Sequence, residues 1–443
     1  MCPTRLAHAA SYNKKDPLPM PVDVSPAAAP TAPFLIPLDH ISAGDTAWML
    51  VSCALVLMMT VPGLALFYAG MVRKKNVLST AMHSLMVCCL VSVLWFAVGY
   101  SLAFTPGSTP YLGGLSRVFL DGVSYQKLAN LVSVSHMAPH IPESVFVMFQ
   151  MTFAIITPAL ITGAFAERMR FSAMVLFVSL WLLLVYAPVA HWVWEPGGWL
   201  ATMGMLDFAG GTVVHINAGA AGLMCAYALG PRMGYGRQPF FPFNLALTMA
   251  GTGLLWVGWF GFNAGSALSA DGRAGMAMLA TQVAAATAAL SWCLAEWVIK
   301  GRPTMLGACS GVVAGLVAVT PASGFVDPVG AAVIGASAGA LCLWGATGLK
   351  RLLGADDALD VFGVHGIGGL IGALLTGVLA RPELSGVMPN WPAQITGALA
   401  TLAYSAIATL VILKVIDALV GLRVATDDEQ AGLDVSQHGE QIQ

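Results

Sequence analysis

Long apolar segments alternate with short polar connections along most of the chain. Eleven of them approach or exceed the roughly 20 residues that cross the hydrocarbon core of a bilayer, and they run over residues 46–70, 78–104, 143–165, 171–193, 209–230, 243–267, 274–299, 304–321, 328–349, 360–380 and 393–420. A segment in lipid must satisfy its own backbone hydrogen bonds, so each one is predicted to be a helix. The pattern predicts an all-α polytopic membrane protein with eleven transmembrane helices.

The first 44 residues have a different composition. They contain eight of the 25 prolines, and no compact apolar core follows Arg5 or the pair Lys14-Lys15. We therefore expect a disordered N-terminal extension over 1–44 without a cleaved signal peptide. The transmembrane domain is predicted over 45–420, and a tail follows over 421–443.

The overall composition supports a membrane protein. Charged residues make up 9% of the chain and hydrophobic residues 57%, whereas soluble domains contain roughly 25% charged residues. A net charge of −2 without a basic run gives no reason to expect a nucleic-acid partner. Seven of the eight cysteines lie in apolar segments without C-x-x-C spacing, so they are interpreted as small hydrophobic residues.

The lysines and arginines predict the orientation. Four lie on one set of alternate connections, at Arg117, Lys127, Arg273 and Arg381. Thirteen lie on the other set or beside the end of the last span, at Arg73, Lys74, Lys75, Arg168, Arg170, Arg232, Arg237, Lys300, Arg302, Lys350, Arg351, Lys414 and Arg423. The positive-inside rule therefore places the N-terminus outside and the C-terminus in the cytoplasm.

Two histidines, His215 and His365, are the only ionisable side chains within the apolar, glycine-rich stretches 209–222 and 361–369. An ionisable residue at membrane depth indicates a functional site by default, and histidine exchanges protons near neutral pH. We interpret the pair as lining a narrow path across the membrane. A hydrogen-bonded helix contact and axial ligation of a haem are the alternatives.

The spacing of the two histidines suggests an internal repeat. They lie 150 residues apart, in the fifth and tenth predicted spans. Because five is odd, the second half must begin on the opposite side of the membrane, as in an inverted repeat. The repeats are predicted over about 45–230 and 243–380, with 393–420 as an additional helix.

Aromatic residues gather at the predicted outer ends of the third, fourth and sixth spans, including Phe153, Trp194 and Phe262, with Ser266 nearby. They are typical of an interfacial aromatic belt, and equally of a vestibule that holds a small cation on aromatic faces. Asp207 and Asp360 are interpreted as N-terminal caps of the fifth and tenth helices. A path lined by imidazoles and apolar walls suits a small, nearly neutral solute.

Long motifs in this chain resemble the ammonium transporter (Amt/Mep/Rh) family, and specifically its bacterial Amt branch. The resemblance runs from about residue 46 into the tail. The motifs are Asp207-Phe-Ala-Gly-Gly-Thr-Val-Val-His215, Gly258-Trp-Phe-Gly-Phe-Asn-Ala-Gly-Ser266, Gly307-Ala-Cys-Ser-Gly311 and Asp360-Val-Phe-Gly-Val-His365.

The resemblance implies a homotrimer in the cell (inner) membrane, with one pore in each protomer. It implies a transporter of ammonium or ammonia, with methylammonium as an analogue, rather than an enzyme, and no cofactor or metal. It also implies that a PII-family nitrogen-regulatory protein binds the cytoplasmic face.

The resemblance also assigns roles to individual residues. Phe153, Trp194 and Ser266 occupy the positions that recruit ammonium, with Asp207 as a support. Phe153 and Phe262 match the gate of the pore, and His215 and His365 match the pore histidines that relay a proton.

Two alternative functions are compatible with the sequence, and one position departs from the family pattern. An ammonium sensor with little flux and a Rh-like channel for neutral gases are the alternatives. Glu195-Pro196 stands where the family pattern leads us to expect glycine. The choice between electrogenic ammonium transport and electroneutral ammonia transport stays open.

Overall fold

The fold, seen in a computed structural model that describes residues 30–442, is a bundle of long helices. Within that range, ten helices are long and apolar enough to cross a membrane, and an eleventh apolar helix is shorter. In chain order the eleven are α1 (Ala43–Met71), α2 (Lys74–Phe104), α3 (Glu143–Phe165), α4 (Phe171–Thr202), α5 (Gly211–Leu229), α6 (Leu245–Gly265), α7 (Gly272–Lys300), α8 (Met305–Val319), α9 (Pro328–Leu353), α10 (Phe362–Leu379) and α11 (Trp391–Val420).

The chain is therefore a multi-pass membrane protein, as the hydropathy pattern predicted. The segment predicted at 304–321 corresponds to α8, which has 15 residues. A helix of that length rises about 22 Å, which is less than the roughly 30 Å of a hydrocarbon core. The helix ends because Pro321 follows within two residues and cannot continue its hydrogen bonding.

Side-chain caps explain where many of these helices begin. A polar side chain just before the first turn accepts a backbone N–H that the helix itself cannot satisfy. The capping residues are Ser42 before α1, Asn244 before α6, Asp271 before α7, Thr304 before α8, Asp327 before α9 and Asn390 before α11.

Wider π turns interrupt six of the helices. They cover Gly211–Ile216 at the start of α5 and Phe362–Gly366 at the start of α10. Further π turns lie within α4 at Leu182–Tyr186 and α9 at Gly345–Leu349, and within α1 at Met59–Leu64 and α2 at Trp95–Gly99. Single π turns inside helices are frequent at functional sites. Both histidines singled out by the sequence lie in such a turn.

A small antiparallel sheet covers one end of the bundle, which we call the sheet end. It consists of β1 (Phe34–Pro37), β2 (Tyr125–Gln126) and β3 (Leu131–Val134) in the order β1-β3-β2. The sequence predicts a disordered extension over 1–44, and residues 1–29 of it lie outside the described residues. The remainder differs from the prediction, because β1 pairs with β3 and Ser42 caps α1.

Charged residues concentrate at the opposite end, which we call the tail end. Glu167, between α3 and α4, forms ion pairs with Arg73 at 2.7 Å and Arg232 at 3.3 Å, and Arg232 also pairs with Asp356 at 2.8 Å. Burial raises the pKa of Glu167, but the two guanidinium groups outweigh that effect and lower it. The network ties the connections after α1, α3, α5 and α9 together.

The tail packs against this end through two short helices, α12 (Thr426–Ala431) and α13 (Leu433–His438). The Asp434 carboxylate accepts the backbone N–H groups of Leu78 and Ser79 in the first turns of α2, at 3.1 and 2.8 Å. Lys75 donates to the carbonyl oxygens of Glu429 and Gln430. These four hydrogen bonds fix the tail to the start of α2.

We expect Asp434→Ala to release α13 from the bundle, because two backbone N–H groups lose their acceptor and each such loss costs about 1 kcal/mol or more. Asp427→Ala, in which an exposed carboxylate of the same tail is removed, is the matched control. Limited proteolysis and hydrogen exchange of residues 426–440 measure the release. Equal protection in the two variants would contradict the anchoring role of Asp434.

Candidate functional site

His215 and His365 meet inside the bundle. Their Nδ1 atoms lie 3.3 Å apart, and the ring centroids are 5.3 Å apart with an angle of 22° between the planes. The residues are 1% and 4% exposed. One Nδ1 must carry the hydrogen and the other must accept it, so the pair shares a single proton at this contact.

Small residues bring the two helices close enough for this contact. A Cβ atom at Gly219 of α5 would clash with the backbone of Gly366 in α10, next to His365. Glycine at helix contacts allows such close approach within a membrane. The glycines that flank the histidines in the sequence therefore have a packing role.

A narrow apolar cavity surrounds the histidine pair. Its volume is about 10 Å³, close to the minimum that holds one water molecule. Apart from His215 and His365, all its lining side chains are apolar: Met59, Leu64, Phe67, Ile156, Leu160, Leu255, Trp259, Phe262 and Val313. The two imidazoles are thus the polar groups of an otherwise apolar passage.

Trp259, from the Gly258–Ser266 motif, lies directly against His215. The rings are stacked with centroids 5.5 Å apart. The indole N–H donates to Thr320 Oγ1 at 2.9 Å, and that hydroxyl donates to the Leu316 carbonyl oxygen. Thr320 fixes the indole, and the sequence offered no signal for this role.

Two stacked phenyl rings lie next to the histidines on the side of the sheet end. Phe153 and Phe262 have centroids 4.1 Å apart with 22° between the planes, and Phe262 is 6.1 Å from the His215 ring. Both phenylalanines are buried. The structure therefore brings together the two residues to which the family resemblance assigns the gate.

Trp194 and Ser266 lie beyond this phenyl pair. The Trp194 ring meets Phe153 edge-on at 5.9 Å, and its indole N–H donates to the Asp207 carbonyl oxygen at 2.9 Å. Ser266, one turn after Phe262, donates its hydroxyl hydrogen to the Phe262 carbonyl oxygen at 2.8 Å. Both residues are only partly buried, so they form the accessible side of the aromatic group.

Asp207 supports this arrangement from behind. Its carboxylate accepts four backbone N–H groups at the start of α5, from Gly210, Gly211, Thr212 and Val213, at 2.7 to 3.2 Å. Burial raises the pKa of Asp207, and the four donors oppose this shift. Asp207 therefore holds both the His215 turn and, through its carbonyl, Trp194.

The equivalent aspartate in the second half is Asp357, and the interpretation of Asp360 as a helix cap is wrong. Asp360 pairs with Lys350 at 2.8 Å, whereas Asp357 Oδ2 accepts the N–H of Phe362 at 2.7 Å. The sequence contains a pattern that identifies Asp357, because Asp207 and Asp357 each stand eight residues before their histidine. This spacing was overlooked in favour of the motif that begins at Asp360.

The geometry does not fit the haem alternative. A cavity of about 10 Å³ is far too small for a macrocycle, and the two Nδ1 atoms already face each other at hydrogen-bond distance. Over residues 30–442, no cluster of three or more His, Cys, Asp or Glu side chains is arranged to hold a metal ion. The arrangement suits proton exchange beside a small solute.

Comparison with known proteins identifies the family to which the chain is similar. The model of the Ammonium Transporter Family matches residues 47–442. The ammonium transporter of Bacillus subtilis (strain 168) is 49% identical over 407 residues, which cover 90% of this chain and 98% of that protein. The crystal structure of Candida albicans Mep2 has a TM-score of 0.82 at 34% identity and covers 88% of this chain and 89% of its own. A structure named Sensor Amt Protein has a TM-score of 0.82 at 27% identity and covers 89% and 98%.

We expect Thr320→Val to move the Trp259 indole away from His215, because the buried N–H must find another acceptor. Thr409→Val is the matched control, since it removes the same bond, at 3.0 Å, from the buried Trp181. Both variants should lose about 1–2 kcal/mol of stability, and Thr320→Ser should lose little. High-resolution structures of the variants test this, and an unmoved Trp259 ring in Thr320→Val would contradict it.

Proposed function

The chain belongs to the ammonium transporter family, and we propose that it carries ammonium into the cell across the cell membrane. The observation that carries this proposal is the His215–His365 contact inside an apolar cavity, with the stacked Phe153 and Phe262 rings next to it on the side of the sheet end. The relatives named as ammonium transporters support the same conclusion.

Recruitment of the cation is assigned to Trp194, Phe153 and Ser266, with Asp207 as the support. Aromatic faces attract a small cation without the tight binding of a carboxylate. Because the Ser266 hydroxyl hydrogen is engaged by the Phe262 carbonyl, its lone pairs can accept an N–H of ammonium. Both Asp207 oxygens accept backbone N–H groups, which fits a supporting role.

Beyond the recruitment site the ion has to lose its charge. Moving a bare cation into an apolar cavity is prohibitive in free energy, whereas neutral ammonia passes at little cost. Deprotonation near the Phe153–Phe262 gate lets ammonia enter the passage lined by the two histidines. Potassium ions carry no proton to give up, so this route excludes them.

The proton follows through the histidine pair. A hydrogen-bonded pair of imidazoles can accept a proton at one ring and release it from the other. Net transport of ammonium then results from ammonia and the proton travelling separately. Methylammonium, which has the same ionisable N–H, is the expected analogue.

The wider arrangement proposed here is eleven spans, α1 to α11, built as an inverted repeat plus α11, with the N-terminus outside and the C-terminus inside. Support comes from the paired π turns of α4 with α9 and α5 with α10. The tail end, rich in arginine and lysine, then faces the cytoplasm. A homotrimer in the inner membrane, surrounded by lipid, and docking of a PII-family protein at this end complete the proposal.

A sensor of ammonium is the second candidate, favoured by the likeness to the structure named Sensor Amt Protein. One experiment separates the candidates: currents from purified protein in proteoliposomes, with pulses of ammonium, methylammonium and potassium. A sustained ammonium-selective current supports transport of ammonium. Internal alkalinisation without current would indicate a channel for neutral ammonia, and binding without either would indicate a sensor.

We expect His215→Leu and His365→Leu to abolish the ammonium current or to admit potassium, because the proton loses its only polar carriers in the described cavity. His83→Leu is the matched control, since His83 is a buried histidine of α2 that packs between Phe165 and Phe171. The measurement is the ammonium and potassium current of each variant. Unchanged current and selectivity in both pore variants would exclude the proton-relay role.

We expect Trp194→Leu to raise the KM for ammonium about tenfold, with a smaller effect on the maximal rate, since a cation–π contact contributes about 0.5–2 kcal/mol. Trp192→Leu is the control, because Trp192 packs against Trp199 and Tyr404 instead of Phe153. Concentration dependence of the current gives both constants. Equal KM values in the two variants would argue against recruitment by Trp194.

A further inference from the structure

The aspartate that starts α10 differs from its counterpart in α5 in one respect. Asp357 is 3% exposed. Its Oδ2 accepts the Phe362 N–H, but its Oδ1 is buried and has no hydrogen-bond partner among residues 30–442. Asp207, by contrast, uses both oxygens for backbone N–H groups. Because a buried unpaired oxygen is costly, Asp357 Oδ1 calls for a partner such as water or a proton.

A series of small cavities leads from the histidine pair towards Asp357. The next cavity after the histidine passage has about 10 Å³ and is lined by His365, Tyr68, Ser310 and Asp360, among others. A third cavity, also of about 10 Å³, is lined by Asp360, Lys350 and Asp357. Neighbouring cavities share His365 and then Asp360. Each has room for about one water molecule and offers polar partners to it.

We propose that Asp357 accepts the proton that leaves His365 towards the tail end. This rests on the proposed function, since it continues the proton path through the histidine pair. Protonated His365 gives the proton on Nε2 to a water molecule in the next cavity, and a proton of that water chain passes to Asp357 Oδ1. The imidazolium becomes a neutral imidazole and the carboxylate becomes a carboxylic acid, so charge and protons balance. Asp357 then releases its proton to water at the tail end.

The charged neighbours of Asp357 suit this exchange. Lys350 on α9, Asp360 before α10 and Arg168 between α3 and α4 act on it, and Tyr68 and Cys225 are the other titratable groups nearby. Burial raises the pKa of Asp357 to about 6, with Lys350 opposing the shift and Asp360 adding to it. Both protonation states are therefore accessible near neutral pH, as a proton acceptor requires.

The neighbouring Asp356 lacks this property. Its two carboxylate oxygens bind the Arg232 guanidinium and backbone N–H at 2.7 to 2.9 Å. Burial raises the pKa of Asp356, but its bonds to Arg232 outweigh that effect and lower it. Of the two adjacent aspartates, Asp357 is the one with an oxygen free for a proton.

The test is Asp357→Asn in oriented proteoliposomes, because the amide oxygen can still accept the Phe362 N–H while the group no longer titrates. The matched control is Asp417→Asn, since Asp417 also accepts the N–H of the residue five positions later, Leu422, at 3.1 Å. We expect the ammonium current of Asp357→Asn to fall about tenfold or more, with ammonia flux retained. Asp417→Asn should stay within about twofold of the unmodified protein, and Asp357→Glu should recover part of the current.

The dependence on pH provides a second readout. In the unmodified protein the current should fall as the pH on the tail-end side drops through about 6, since a protonated Asp357 cannot accept another proton. This fall should vanish in Asp357→Asn. An unchanged current and pH profile in Asp357→Asn would overturn the inference. Equal loss of current and ammonia flux in that variant, together with a lowered melting temperature, would overturn it as well. Ammonia flux without current in the unmodified protein would overturn it together with the proton path, while leaving ammonia passage intact.

Discussion

The contact between His215 and His365 is the interaction on which the rest of the site depends. Two imidazoles at membrane depth are expensive to bury, and the hydrogen bond between their Nδ1 atoms offsets part of that cost. A 3.3 Å contact between Nδ1 atoms requires two helix backbones to approach closely and to present their side chains at the same level. The glycines at the α5–α10 crossing and the π turn at the start of each helix meet this requirement.

The surrounding groups can be understood as supports for that contact. Asp207 and Asp357 hold the first turns of α5 and α10 through backbone N–H groups. Thr320 fixes Trp259, which in turn fixes one face of His215. The Phe153–Phe262 pair closes the passage on the side of the sheet end. Each support acts on a neighbour of the histidines, and together they leave a cavity of about one water molecule.

The two halves of the molecule are related in their supports but differ in their surroundings. The Asp207 side leads to aromatic rings, which suit a cation that must be held weakly. The Asp357 side leads to Lys350, Asp360 and a free carboxylate oxygen, which suit a proton that must be passed on. At the tail end, the Arg73–Glu167–Arg232–Asp356 network and the tail join the connections that follow α1, α3, α5 and α9. The two ends of the passage therefore differ in chemistry, although the two halves of the fold begin their central helices in the same way, and the proposed direction of ammonium transport rests on that difference.

The sequence by itself determined the membrane character and most helix positions, and it singled out His215 and His365, because hydrophobic length and isolated polar groups in apolar segments are local properties of the chain. The spacing of eight residues between each aspartate and its histidine also identifies Asp357 as the counterpart of Asp207. Only the tertiary structure decided which partners meet: that His215 and His365 share one hydrogen bond, that Trp259 lies beside them, and that Thr320 holds it. It also showed that Phe34–Pro37 pairs with a strand almost a hundred residues later. These are contacts between distant segments, and their energies depend on packing that no local pattern encodes.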